Sequence, residues 1–428
     1  MQRRLAVLLL ALSSPAWAQP GGRLFDGRAV AEDPPRLQEP PAPAARLFKE
    51  DRLWVVVAAE TRDQRSLAAD LGLSIEEVSD GAVAGVATPA ALARLQAAGF
   101  TILKQSSLSE SLPKGFPKPD AAYHDYDEVE SALAAIASAH PGLASLVEVG
   151  KSFRGLKITA LRFNTTARGG APSAKPGALF LGSHHAREHL STEVPVLLAK
   201  WLADNKDKPE VKALLETRDV YIVPLLNPDG SQFDIQDGSY RWQRKNLRPN
   251  EDGSVGTDLN RNYDSHWGES GSSEYPGDDT YRGASPFSEP ETRAVRDFVL
   301  ARPNLKTMVS YHTYSELILY PWSYTSEPLA DGPALKAFKA MGDKMAGWTG
   351  YTAQQSGDFY PSSGDTCDWA WSARKIFCFT FELTPRSSSG GGFYPGPSVI
   401  TPTAQKNVAP LLYLIGLADD PLRAADIP

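Results

Sequence analysis

The sequence predicts an α/β architecture: a large domain whose mixed β-sheet is covered by helices on both faces, preceded by a small α+β module. Three observations lead there. From about residue 121 onward, apolar runs of strand length alternate with amphipathic runs of helix length, the pattern of a sheet with helical crossovers. Several of the strand-like runs, such as Ala178-Leu-Phe-Leu-Gly182 and Ile376-Phe-Cys-Phe-Thr-Phe381, are apolar almost throughout, as strands buried on both faces must be. Finally, 428 residues that are 42% hydrophobic and 22% charged supply a substantial core, enough for one large domain and a smaller one.

At the N-terminus, Met1-Gln-Arg-Arg4, the apolar run Leu5 to Leu12 and the small-x-small triplet Ala16-Trp-Ala18 have the form of a secretory signal, so residues 1–18 are expected to be removed. The apolar run is too short to span a bilayer, and no later stretch approaches the ~18 consecutive apolar residues that a spanning helix needs. The mature protein is therefore expected to be exported, to the periplasm or beyond, without a membrane span. Residues 19–48 are rich in proline and alanine and read as an extended leader. Over residues 49–105 the pattern is strand Leu53–Val57, helix from about Asp63, strands at Ile75–Val78 and Ala82–Val86, helix from Pro89, and a strand at Thr101–Leu103. That βαββαβ order is ferredoxin-like. Residues 106–120, full of Ser, Pro and Gly and carrying Lys114 and Lys118, read as an exposed linker open to proteases.

The large domain, residues 121–428, begins with a helix from about Tyr126 to Ala139 that the His140-Pro141 pair stops. Strands follow at Leu146–Val149, Lys157–Phe163 and Leu179–Gly182, then a helix after Thr192 and a strand at Asp219–Leu226. Asn227-Pro-Asp-Gly230 reads as a turn. A helix over 290–300 has Ser288 and Glu291 at capping-box spacing. Strand Thr307–Thr313, helix Ala334–Ala346, strand Ile376–Leu383 and a last helix after Pro402 complete the pattern, with Pro410 expected to kink that helix. The net charge of −7 and the lack of a basic run argue against nucleic-acid partners. Cys367 and Cys378, the only cysteines, can pair in an oxidising compartment or remain buried thiols, and the sequence leaves both open.

Chemistry concentrates in Gly182-Ser-His-His-Ala-Arg-Glu-His189, at a predicted strand's C-terminal end. His185 and Glu188, in H-x-x-E spacing, can present an imidazole and a carboxylate to one metal ion. His312, ending another apolar strand, is the natural third ligand, and a His2Glu set leaves a fourth position for water, as catalytic zinc requires. Glu382 ends a third apolar strand, where a carboxylate must face a cleft or a cation, and is the candidate general base. Arg241, Arg244 and Arg261 supply guanidinium forks suited to a carboxylate or a developing oxyanion.

Together these motifs resemble the zinc carboxypeptidases of the pancreatic carboxypeptidase A and B type, over roughly residues 121 to 416. The resemblance rests on His185-Ala-Arg-Glu188, Asn227-Pro-Asp-Gly230, Arg241-x-x-Arg244-Lys245, Asn260-Arg261-Asn262, Tyr311-His312-x-Tyr314, Tyr360 ahead of Asp368-Trp369, and Phe379-Thr-Phe-Glu382-Leu383. It implies one zinc ion on His185, Glu188 and His312, with Glu382 as base and Arg244 polarising the scissile carbonyl. Asn260, Arg261 and Tyr360 would hold the terminal carboxylate of a peptide or protein substrate, with Arg187 in the next subsite and Thr313 and Tyr314 also binding the substrate. The fold implied is an eight-stranded mixed sheet sandwiched by helices, and the small module resembles the family's activation segment, removed by another protease. A monomer is expected. Cys367 falls at the family's pocket-determining position and Asp365 beside it, which implies preference for hydrophobic or aromatic C-terminal residues with some tolerance of basic ones. A cell-wall peptidase of the same fold and a non-catalytic peptide binder are the alternatives; neither a ligand nor the base is missing for the first reading.

Overall fold

The computed structural model describes residues 52–107, 120–236, 238 and 240–426. The expected signal, the leader, the first three residues of the module and nearly all of the linker lie outside the described residues.

The small module runs β1 (Leu53–Ala58), α1 (Arg62–Asp70), β2 (Ser74–Ser79), β3 (Ala82–Ala87), α2 (Pro89–Ala97) and β4 (Ile102–Ser107). Its sheet has the order β2-β3-β1-β4 with every neighbouring pair antiparallel. Local chemistry sets the helix starts: Thr61 caps α1 in a capping box with Gln64, and Thr88 caps α2 ahead of Pro89. Val55, Val57, Leu73, Val83 and Leu95 bury one face of the sheet against the helices.

The large domain continues with α3 (Tyr126–Ala139), β5 (Ala144–Lys151), β6 (Lys157–Phe163), β7 (Gly177–Leu181), α4 (Leu190–Asp204), α5 (Pro209–Thr217), β8 (Asp219–Val223), α6 (Pro228–Ile235) and α7 (Pro290–Leu300). After these come β9 (Leu305–Thr313), β10 (Leu317–Tyr320), α8 (Gly332–Thr349), β11 (Thr352–Gln355), α9 (Thr366–Arg374), β12 (Phe377–Leu383) and α10 (Ile400–Leu417). The eight strands pair in the order β11-β10-β12-β9-β7-β8-β6-β5. The middle four, β12-β9-β7-β8, are parallel, and their flanks are antiparallel where β10 meets β12 and β6 meets β8. Being buried on both faces, β7 and β9 are apolar nearly throughout, and α4 is buried almost all round its circumference. After β7 the chain turns to β8 on one side, whereas β9 leads towards β10 and β12 on the other. The crevice outside the carboxyl ends of β7 and β9 is therefore a topological switch point, the place where open α/β sheets bind ligands.

Two local expectations need correction. Asn227-Pro-Asp-Gly230 is the start of α6 rather than a turn: Asn227 Oδ1 accepts the Gly230 N–H at 3.1 Å, and Pro228 occupies the first helical turn. The capping box ahead of α7 does not form, because Ser288 Oγ donates to Glu289 at 2.8 Å and Glu291 turns away to accept the Phe153 N–H at 2.8 Å. The last helix, α10, runs as one element through Pro410.

Cys367 on α9 and Cys378 on β12 form a disulfide with Cα atoms 5.0 Å apart, pinning that helix to the sheet. The close approach at the end of β7 is equally demanding: a Cβ on Gly182 would lie 2.1 Å from the Ser191 carbonyl oxygen and 2.6 Å from that of Pro224. Both are backbone atoms that cannot swing aside. Gly182→Ala should therefore destabilise the chain by at least about 2 kcal/mol, as overpacking does, which thermal or denaturant unfolding beside wild type will measure.

Candidate active site

Each functional side chain arrives at the switch point from a different strand end. The turn after β7, Gly182 to His189, delivers His185 and Glu188. His312 is the penultimate residue of β9 and Glu382 the penultimate residue of β12. These two strands are parallel neighbours with His312 directly paired to Glu382, so both side chains leave the sheet on the same face. Register alone joins an imidazole and a carboxylate 70 residues apart in the chain.

His185 Nδ1 and His312 Nδ1 face each other at 3.1 Å, and the carboxylate of Glu188 bridges them, with Oε1 2.7 Å from His185 Nδ1 and Oε2 3.1 Å from His312 Nδ1. Among the described residues this is the one His/Cys/Asp/Glu trio whose ligand atoms converge, all within 4.8 Å. All three residues are buried. Two ring nitrogens at that distance with a carboxylate between them fit a cation, because both can then be lone-pair donors. Their outward nitrogens are held as metal-binding imidazoles require: His185 Nε2 lies 3.1 Å from Asp258 Oδ1 and His312 Nε2 lies 2.9 Å from Ser310 Oγ. The donor set is that of a catalytic zinc.

Asp258 serves a second partner. Its Oδ2 accepts from Arg244 Nε and Nη2, each at 3.0 Å, so the guanidinium is fixed in the plane that leaves Nη1 3.9 Å from Glu188 Oε1. Burial opposes ionisation of Asp258, but Arg244 and His185 beside it hold the carboxyl well below the usual range. Glu382 behaves oppositely: burial, then the Glu188 and Glu76 carboxylates, push it well above an ordinary glutamate. A base with raised proton affinity is suited to take a proton from water.

The pocket is lined by Glu188, Arg244, Asn260, Arg261, Tyr360 and Glu382, together with Thr313, Tyr314, Asp365 and Thr380. Arg261 donates through Nη2 to Tyr360 Oη at 3.1 Å and through Nε to the Gly271 carbonyl at 2.9 Å. Asn260 Nδ2 donates to Asp365 Oδ2 at 3.0 Å. Asp365 caps α9, its Oδ1 accepting the N–H groups of Cys367 and Asp368 at 2.8 and 3.0 Å. Cys367, expected at the pocket wall, is not among the lining residues. It is consumed by the disulfide and joins the core, with its sulfur 3.6 Å from the Thr380 hydroxyl that does face the pocket. Arg187 is fully buried between two carboxylates, Nη1 to Asp279 at 2.8 Å and Nη2 to Glu76 at 2.7 Å. Arg241 lies outside the pocket, its guanidinium 4.3 Å over the Phe233 ring.

Sequence reasoning missed two site groups. Asp258 lies two residues ahead of Asn260-Arg261-Asn262 and nothing local marks it; only its placement between His185 and Arg244 reveals a role. Glu76 is on β2 of the small module, and no local pattern announces that a strand residue there reaches the pocket of another domain. Its Oε1 takes the Ser74 hydroxyl at 2.7 Å and lies 3.9 Å from Arg244 Nη1. Neighbouring Glu77 accepts the Ser388 N–H at 2.6 Å and the Tyr314 hydroxyl at 3.3 Å. Ion pairs add to the contact, Arg52 with Asp279 at 3.1 Å and Arg94 with Asp278 at 2.5 Å, and Tyr360 packs against the module's own apolar cluster. His189, which had no assigned purpose, bonds Asp234 at 2.9 Å, and Asp234 also accepts the Gln243 N–H at 2.8 Å, so this pair anchors the segment that carries Arg244.

Comparison with known proteins agrees with this geometry. The sequence matches the family model described as zinc carboxypeptidase over residues 129–410. It is 34% identical over 378 residues to a zinc carboxypeptidase of Saccharothrix mutabilis subsp. capreolus, covering 86% of this chain and 82% of that one. With mouse carboxypeptidase A1 the identity is 35% over 309 residues, covering 69% and 70%. The structure is similar to bovine thrombin-activatable fibrinolysis inhibitor, solved with a tick carboxypeptidase inhibitor, at TM-score 0.60 and 28% identity over 69% of this chain and 97% of that one. The carboxypeptidase A of Helicoverpa armigera has the same fold, at TM-score 0.70 and 24% identity over 88% of this chain and 98% of that one. The chain belongs to the zinc carboxypeptidase family, zinc-dependent hydrolases of peptides.

Proposed function

We propose that the chain is the precursor of an exported metallocarboxypeptidase that removes single residues from the C-terminus of peptides and proteins, with one zinc ion on His185, Glu188 and His312. The observation that carries this reading is the pair of Nδ1 atoms 3.1 Å apart across the Glu188 carboxylate. Zinc, when bound, polarises the scissile carbonyl and acidifies a water. Glu382 takes the proton of the attacking water and gives it to the leaving amine. Arg244, its plane fixed by Asp258, donates Nη1 to the carbonyl oxygen as negative charge develops there. Asn260, Arg261 and Tyr360 receive the terminal carboxylate. Because that anchor fixes the carboxylate one residue from Glu382, only the last peptide bond reaches the chemistry. Thr313 and Tyr314 line the approach to the site, and Arg187 becomes available to the substrate once Glu76 withdraws.

The side-chain pocket joins apolar and hydroxyl groups, Leu319 and Thr380 among them, to the carboxylate of Asp365. Hydrophobic and aromatic C-terminal residues are therefore preferred, with lysine and arginine tolerated through Asp365. Cys367 contributes only from behind Thr380. Residues 1–18 are a signal, residues 49–105 an activation segment, and a protease acting within residues 106–120 frees residues 121–428 as a monomer in the periplasm or medium. No helix among the described residues is long and apolar enough to cross a membrane. Support for the precursor reading comes from Glu76, a residue of the small module that lines the pocket and pairs with Arg187 at 2.7 Å.

Blocked dipeptides ending in Phe, Leu, Lys, Arg and Glu, assayed with and without chelator on linker-cut enzyme, test the reaction. Release should be chelator-sensitive, and Glu382→Gln should lower kcat/KM by about 10²- to 10⁴-fold, the usual loss of a general base, with zinc content unchanged. If no residue is released in a chelator-sensitive way, the assignment fails. Asp365→Ala should reduce turnover of Lys and Arg substrates relative to Phe and Leu; an unchanged ratio would remove Asp365 from the specificity pocket. For the precursor, Glu76→Ala leaves Arg187 paired to Asp279 alone and weakens the module's hold. The uncut variant should hydrolyse substrate faster than the uncut wild type, and equal rates would mean that Glu76 does not restrain the enzyme.

A further inference from the structure

A fully buried histidine, His184, has no part in the chemistry above, yet its ring stacks on that of His312 with centroids 5.4 Å apart and planes 17° from parallel. Both of its nitrogens are engaged. Nδ1 lies 3.1 Å from Ser310 Oγ, the same hydroxyl that lies 2.9 Å from His312 Nε2. Nε2 lies 3.0 Å from Thr366 Oγ1 and 3.0 Å from Tyr263 Oη. The ring thus stands between a proposed zinc ligand and the wall of the substrate pocket.

The direction of every proton along this path follows from one end. Asp365, as a carboxylate, can only accept, so the amide nitrogen of Asn260 faces its Oδ2 at 3.0 Å and the amide oxygen faces the other way. That oxygen accepts the Thr366 N–H at 3.0 Å and the Thr366 hydroxyl at 2.6 Å. With its proton committed to Asn260, the Thr366 oxygen offers His184 only a lone pair, so the hydrogen is assigned to Nε2, with Thr366 Oγ1 and Tyr263 Oη, each at 3.0 Å, as its acceptors. Nδ1 is then bare and accepts from Ser310. Ser310, donating to His184, accepts from His312 Nε2. His312 Nδ1 is left without a proton and turned towards His185 and Glu188. Reversing one link alone would set two protons or two lone pairs against each other inside a buried site, at the cost of an unsatisfied group.

We propose that His184 is a positioning residue: through Ser310 it fixes His312 in the tautomer that binds zinc, and through Thr366 it ties that tautomer to Asn260, the amide that receives the substrate carboxylate. The inference rests on the preceding reading of His312 as a ligand and extends it to groups that touch neither metal nor substrate. It also gives Asp365 a second task, since its charge sets the polarity of the whole path.

Two measurements on the full chain test this. In protein labelled with nitrogen-15 only at histidine, long-range nitrogen–proton spectra should show the His184 ring protonated on Nε2 alone, assigned by its loss in His184→Leu; a proton on Nδ1 overturns the proposal. Zinc affinity by chelator competition supplies the second readout. His184→Leu should bind zinc about 10- to 100-fold more weakly, the usual effect of removing a partner behind a ligating histidine. His184→Gln, whose amide can accept from Ser310 and donate to Thr366, should regain most of that loss. Wild-type affinity in the leucine variant, or equal losses in both, overturns the role. Should the leucine variant fail to fold, Ser310→Ala carries the same test in the middle of the path, and wild-type affinity there also overturns it. A wild-type chain that binds no zinc would instead overturn the metal reading itself.

Discussion

Two imidazole nitrogens held 3.1 Å apart repel unless a proton or a cation lies between them, and this constraint organises the pocket. Neither ring can retreat. His312 is fixed by the strand it ends, and His185 by a turn whose glycine leaves no room beside two backbone carbonyls. Around them, negative groups are arranged in two ranks. Glu188 touches both inner nitrogens, while Asp258 stands behind His185 and shares its other oxygen with Arg244. The consequence is that the group expected to stabilise charge on the substrate is positioned by the same carboxylate that orients a ligand. Loss of Asp258 would disturb both at once, and their effects would not add.

The contact between the small module and the large domain follows electrostatic logic as well. Basic side chains of the module meet Asp278 and Asp279, and acidic side chains of β2 meet Arg187, Tyr314 and the Ser388 amide. Charges of both signs on each surface demand one orientation, because sliding the module along the cleft would oppose like charges. Such complementary charges fix the register of the two surfaces.

Much of this was legible in the sequence. The alternation of apolar and amphipathic runs is a physical requirement of a buried parallel sheet, and it located β7, β9 and β12 to within a residue or two. Because catalytic side chains must leave such a sheet at its strand ends, His312 and Glu382 stood out against apolar surroundings. What remained hidden depends on distance through space. The short strands β10 and β11, of four residues each at one end of the sheet, carry too little periodicity to read. Cys367 could be placed by position but not by partner, and pairing with Cys378 turned a presumed wall residue into a strut behind Thr380. Asn227-Pro-Asp-Gly230 is built of turn formers that serve equally well to open a helix. Glu76 and His184 were invisible for the same reason: their partners lie in other elements, and only the assembled fold brings them to the site.

The pairing of Glu382 with His312 across β12 and β9 has an evolutionary corollary. Side chains alternate faces along a strand, so one residue added to or lost from either strand would turn a catalytic group into the opposite layer of helices while leaving the hydrophobic composition intact. A substitution in these strands costs a contact, whereas a shift in length reverses an entire face. Longer connections around the pocket would leave this pairing untouched, whereas a one-residue change in the length of β9 or β12 would not.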